Sequence, residues 1–170
     1  MSSGVAIDPC VDEYINRMTM ANHPSKKGAC DRLKVTVLCI NETHDRIVVD
    51  KAKTRSLNDF DDQADLFKQI MDLFEETKCC YAVYDCFYHT SEHIEKEELV
   101  FISWCPEDAS IKDKMIYCAS WKALICKFPA IKYHWQMCDK SDKDHECLVD
   151  KFGVKGKVAE LEGVCLHGHK

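Results

Sequence analysis

The chain has 170 residues, 46% hydrophobic and 31% charged, with a formal net charge of −6. That length suffices to bury a full core in one domain, residues 1–170, and the acidic balance argues against general nucleic-acid binding. No apolar run approaches the roughly 20 residues that span a bilayer, and the N-terminus lacks the apolar stretch of a signal peptide. The twelve cysteines, with no C-x-x-C pair among them, therefore read as reduced thiols of a cytoplasmic protein, not as a disulfide scaffold.

Residues 1–7 are small and read as a flexible segment with hydroxyls at Ser2 and Ser3. Asp8-Pro9 starts a helix, because Asp can cap free N–H groups and Pro suits the first helical position. The spacing of Val11, Tyr14, Ile15 and Met18 carries that helix to about residue 18. Residues 21–31, with Pro24, Ser25 and Gly28, read as a loop. Residues 33–41 are rich in β-branched side chains and predict a buried strand, and 47–49 returns from it after a polar turn at 42–45. A polar connection at 51–61 leads to a helix predicted over 62–76 through Leu66, Ile70, Leu73 and Phe74, capped by Asp61 or Asp62. Residues 79–88 and 98–104 are the third and fourth strands, joined across a charged turn at 89–96.

The next element, 112–128, is a helix that must stop before Pro129. At about 100° per residue, Ile116, Tyr117, Ser120, Ala123, Leu124 and Phe128 fall on one side and form the core stripe. The other side carries Lys114, Met115, Cys118, Ala119, Lys122, Ile125 and Cys126, with Trp121 on the border. A helix on a sheet normally turns a charged face to water; this one turns apolar and small residues edged by lysines, the make-up of a partner-binding ridge. Residues 112–132 hold five lysines and one aspartate, a net +4 that leaves −10 for the rest. A fifth strand at 131–136 and a short helix at 144–152 closed by Gly153 follow. A last extended piece at 158–161 precedes a tail at 164–170. The order predicts an α/β (α+β) fold, a mixed sheet with helices on both faces.

Catalysis finds no foothold in the sequence. Cys80 or Cys118 would need a neighbouring base or helix N-terminus to act as a nucleophile, and no phosphate-loop, dinucleotide, nucleophile-elbow or zinc-protease motif is present. The chain therefore reads as a non-enzyme without a cofactor. His89 with His93, and His167 with His169, lack cysteine partners at zinc spacing and read as solvated histidines.

Lys112-Asp113-Lys114-Met115-Ile116-Tyr117, preceded by Leu99-Val100-Phe101-Ile102-Ser103-Trp104-Cys105-Pro106-Glu107, resembles the signature stretch of the actin-depolymerising factor (ADF)/cofilin family. Ser3-Gly4-Val5, residues 79–85 (CCYAVYD), Ile131-Lys132 and Leu161-Glu162-Gly163 fall in matching order and spacing. The resemblance implies a single ADF-homology domain, a five-stranded mixed sheet sandwiched between helices. It implies a monomeric protein of the cytoplasm and cytoskeleton that binds monomeric and filamentous actin and promotes filament severing and depolymerisation. The implied actin-binding residues are Ser3, Gly4, Val5, Lys112, Lys114, Met115, Cys118 and Lys122. The implied filament-specific residues are Lys96 in the charged hairpin, and Asp150 and Lys151 on the C-terminal helix. Ser3 matches the family's phosphorylated serine, and Lys112, Lys114, Lys127 and Lys132 match a phosphoinositide-binding set. An alternative within the same fold is a non-severing module, like coactosin or glia maturation factor, that binds filaments or a filament-branching complex. The ridge departs from typical vertebrate cofilins by carrying Trp121, Ile125 and Cys126 in place of lysines. Gly28-Ala29-Cys30-Asp31 replaces a basic cluster, so active nuclear import is not expected. Tyr133 replaces a histidine linked to pH sensing, with His134 adjacent.

Overall fold

The computed structural model describes residues 4–20, 32–152 and 158–165. In chain order its elements are β1 (Ala6–Ile7), α1 (Pro9–Met20), β2 (Leu33–Ile40), β3 (Arg46–Val49), β4 (Arg55–Ser56), α2 (Leu66–Met71), β5 (Cys80–Thr90), β6 (Glu95–Trp104), α3 (Ile111–Lys127), β7 (Tyr133–Met137), α4 (His145–Lys151), β8 (Val158–Leu161) and β9 (Val164–Cys165). The predicted loop at 21–31, Gly153 and the last five residues lie outside the described residues.

The long antiparallel hairpin of β5 and β6, in register from Cys80↔Trp104 to His89↔Glu95, is the middle of the sheet. The strand order is β1-β3-β2-β5-β6-β7, with β4 paired to β2 and the β8–β9 hairpin paired to β5. β6 and β7 are parallel, so the chain must cross over between them, and α3 is that crossover.

Successive side chains of a strand point to opposite faces, so β5 feeds two cores. Cys80, Ala82, Tyr84 and Cys86 pack with Phe67, Ile70 and Phe74 and with Leu148 and Val149 of α4. Tyr81 and Val83 pack with Val11, Ile15 and Met18 of α1 and with Tyr117, Trp121 and Leu124 of α3. Helices α1 and α3 thus cover one face and α2 and α4 the other, which is the predicted α+β layering.

Several details correct the sequence reading. Among the described residues the sheet has nine strands, not five, because β1, β4, β8 and β9 add short pairings. β4 and a 3-10 turn at Leu57–Asp59 occupy the stretch read from the sequence as a polar connection. Helix α2 has six residues capped by Asp65, which accepts from the Lys68 N–H. The Asp61 carboxylate instead accepts from the Gln63 N–H, while its backbone donates to and accepts from the Gln69 side chain of α2. Val164 and Cys165, expected in the tail, pair with β8.

One buried charge cluster ties the sheet together. Arg32 contacts both Asp85 on β5 and Glu97 on β6, the latter at 2.6 Å. Lys34 on β2 meets Glu162 at 2.8 Å, and Glu162 also accepts from the Tyr84 hydroxyl and from the Phe87 N–H. Glu162 and Gly163 both take positive φ, 52° and 83°, a turn that suits glycine at its second position. Burial pushes the Asp85 carboxyl up to about 7; Glu97 adds to the rise, and Lys34 and Arg32 oppose it.

Candidate functional site

Helix α3 is started by Ser110, whose hydroxyl accepts from the Asp113 N–H at 3.1 Å, and its last residue is Lys127, two before Pro129. Tyr117, Ser120, Trp121 and Leu124 are its buried residues. Trp121 stacks on Tyr81 with centroids 5.8 Å apart and meets Phe101 edge-on at 5.6 Å. The indole therefore belongs to the core and not to the border, and the helix is rotated so that Ala123, expected in the core stripe, is exposed. Tyr117 fixes the helix at its middle. Its hydroxyl accepts from the Ile40 N–H at 2.8 Å, and its carbonyl accepts from the buried Tyr81 hydroxyl.

What remains outward is an apolar and basic face. Ile111 and Met115 are 74% and 68% exposed. Lys112, Cys118, Ala119, Lys122 and Cys126 are exposed beside them. Lys114 is only half-buried because its ammonium donates to the Glu107 carbonyl at 2.9 Å. It was expected to be as free as Lys112, but it braces the loop that leads into the helix.

The N-terminal segment reaches the same end of α3 through the β2–β3 turn. Gly4 is exposed with φ of 78°, and half-buried Val5 packs against the α1/α3 core. The next residue, Ala6, donates to the Asp45 carbonyl at 2.8 Å, and His44 in that turn lies 3.6 Å from Asp113 on α3. Gly4, Val5, Lys112 and Met115 thus gather around one end of the helix. Ser3 lies outside the described residues. The β2–β3 turn was expected at 42–45, but sequence reasoning missed its contact with α3 and the positive φ of His44, 59°.

The second proposed surface also comes together. The hairpin turn between β5 and β6 is closed by Thr90 and Ile94, N–H to carbonyl at 3.0 Å, with His93 at φ of 64°. Lys96 is exposed on β6 directly opposite Tyr88, and Tyr88 stacks on Phe152 at 4.9 Å. Phe152 follows the exposed Asp150 and Lys151 at the end of α4, so hairpin stem and helix end share one edge.

The four lysines of the expected phosphoinositide set do not converge. Lys112 and Lys127 are 15 residues apart on one helix, about 22 Å at a rise of 1.5 Å per residue. Lys127 also pairs with Asp12 of α1 at 3.5 Å, and Lys132 lies exposed before β7. One headgroup cannot meet both ends.

His89 is not a solvated histidine. It faces Glu95 at 3.4 Å and Phe87 edge-on at 5.1 Å, and its Nδ1 is buried without a hydrogen-bond partner. His167 and His169 lie outside the described residues. Among the described residues no group of three His, Cys, Asp or Glu side chains is arranged to hold a metal, and no helix is long and apolar enough to cross a membrane. Burial pushes the Cys80 thiol far up, away from the reactive thiolate.

This geometry has counterparts. The family model described as cofilin/tropomyosin-type actin-binding protein matches residues 17–153. The chain belongs to the ADF/cofilin family. Actin depolymerization factor 2 of Plasmodium berghei superposes with a TM-score of 0.67 at 26% identity, covering 90% of this chain and 99% of that one. The ADF-like UNC-60A protein of Caenorhabditis elegans gives 0.66 at 26% identity, covering 92% and 99%. Coactosin from Entamoeba histolytica gives 0.65 at 14% identity over 89% and 96%, a likeness of fold alone. The family's fold accounts for the layering around α3, and it puts the exposed helix in an actin-binding family.

Proposed function

We propose that this ADF/cofilin-family chain, acting as one monomeric unit over residues 1–170, binds monomeric and filamentous actin and promotes filament severing and depolymerisation in the cytoplasm. The observation that carries this reading is Met115, 68% exposed on a rigid, lysine-edged helix, in a chain matched by an actin-binding family model. An apolar side chain held in water gains about 25 cal/mol for each Å² that a partner covers. The lysines around it favour an acidic partner surface and reject a basic one. Gly4, Val5, Lys112, Lys114, Met115, Cys118 and Lys122 form the contact with monomer and filament, and Lys96, Asp150 and Lys151 add the filament-specific one. Severing needs no covalent chemistry: a protein that prefers a twisted filament state shifts subunits toward it and weakens the lattice.

Phosphorylation of Ser3 adds roughly −1.5 to −2 charge next to the proposed contact residues Gly4 and Val5, and so opposes an acidic partner. Phosphoinositides compete for the same face, with Lys112 and Lys114 meeting one headgroup and Lys127 and Lys132 another.

A second reading, filament binding without severing, is favoured by the hairpin. Around Lys96 it carries exposed Glu92 and Glu95, an acidic surface poorly suited to an acidic filament. Fluorescent actin filaments watched under a microscope separate the two readings. Breaks that multiply with added protein support severing; decoration without shortening selects the second reading, and no decoration contradicts both.

A further inference from the structure

Three thiols meet where α3 lies over the end of the β5–β6 hairpin. The Cys79 and Cys105 sulfurs are 3.6 Å apart, and Cys105 lies 3.8 Å from Cys118. Cys79 precedes β5 and Cys105 follows β6, so the register that pairs Cys80 with Trp104 puts them opposite each other. Cys118 comes from α3, one turn beyond Lys114. The three form a graded series, with Cys79 buried, Cys105 half-buried and Cys118 exposed. We propose that Cys118 and Cys105 form a reversible disulfide when the protein meets a peroxide, with Cys118 oxidised first and Cys105 resolving it.

The chemistry balances in two steps. The Cys118 sulfur attacks hydrogen peroxide, the O–O bond breaks, and Cys118 becomes a sulfenic acid while water leaves. The Cys105 sulfur then displaces that hydroxyl, its own proton leaves with it as a second water, and the S–S bond forms. Peroxide is reduced by two electrons and the two thiols are oxidised by two. Exposure selects Cys118 for the first step. Burial and the adjoining thiols push Cys105 up, which keeps it a thiol that is not oxidised first. A gap of 3.8 Å must close to about 2.05 Å, and the closing partner is an exposed side chain. Cys126, also exposed on α3, serves as the internal comparison.

Any bearing on filaments rests on the proposed function: Cys118 stands one turn from Met115, so drawing it inward onto Cys105 changes the middle of the ridge. The full chain is titrated with hydrogen peroxide, quenched with N-ethylmaleimide and mapped by mass spectrometry. The expected result is a peptide pair joined through Cys105 and Cys118, lost on adding dithiothreitol, at peroxide levels that leave Cys126 alkylated. In Cys105→Ser, dimedone should trap Cys118 as the sulfenic acid. A dominant Cys79–Cys105 link, or Cys118 oxidised to sulfinic acid without a link in the wild-type chain, overturns the proposal. Co-sedimentation of the linked protein with actin filaments is read separately. Weaker binding restored by dithiothreitol supports the regulatory consequence, and unchanged binding overturns that consequence. If the reduced chain fails to bind filaments, the proposed function falls while the mass map still decides the disulfide.

Discussion

The rotation of α3 decides which residues reach a partner, and it can be tested by a pair of substitutions. Trp121 is 7% exposed and holds two aromatic contacts, a stack on Tyr81 and an edge on Phe101. Cutting it back to alanine removes its transfer energy, leaves a cavity and should cost about 3–5 kcal/mol; the two aromatic geometries account for roughly 0.5–1.5 kcal/mol each of that loss. Ala123, two positions along and exposed, should accept lysine within about 0.5 kcal/mol. With a urea slope of about 2 kcal/mol per molar, Trp121→Ala should lower the midpoint by roughly 1.5–2.5 M. The same slope leaves Ala123→Lys within about 0.3 M of the parent. Urea titration followed by circular dichroism reads both. A small shift for Trp121→Ala, or a large one for Ala123→Lys, would mean that the helix presents a different face, and the ridge described above would be misassigned.

Other outcomes follow from single contacts. Tyr117→Phe removes the acceptor of the Ile40 N–H and leaves a buried donor unpaired, so it should lose about 1–3 kcal/mol in the same titration; no loss would show that the bond does not hold α3. Asp85 carries its proton in the folded state up to about 7 but releases it near 3.8 when unfolded. The native state then binds more protons between those values, so stability falls as pH rises from about 4 to about 7. Asp85→Asn should flatten that slope by up to one proton's worth, about 1.4 kcal/mol per pH unit, and equal slopes in parent and variant would refute the assignment. Ser3→Glu should weaken filament co-sedimentation less than a change on the ridge does; tighter binding would contradict the charge argument.

The strands of the sheet were legible because 33–40 and 80–88 are dense in β-branched and aromatic residues, and the period of α1 shows in Val11, Ile15 and Met18. The two-residue strands β1, β4 and β9 were not, since a pairing that short leaves no pattern in its own residues. Helix α2 illustrates another limit. Ile70 and Phe74 are buried as the period requires, yet the helix itself ends at Met71 and the burial of Phe74 comes from a turn. At the site, exposure of Met115 was readable from helical phase. The rotation that buries Trp121 was not, because it is set by Tyr81 and Phe101 from strands 20 to 40 residues earlier. The same holds for Lys114, whose bond to the Glu107 carbonyl depends on the path of a loop. The His44–Asp113 contact depends on a turn with positive φ. Local sequence predicts which residues are apolar, whereas tertiary packing chooses among the faces.

The central claim is that the outward face of α3 is the actin contact, and Lys112→Ala combined with Met115→Ala tests it most directly. Both residues are exposed, so circular dichroism and the urea midpoint should match the parent. Co-sedimentation with actin filaments should show affinity reduced at least tenfold. A folded double variant that binds filaments as tightly as the parent would contradict the account.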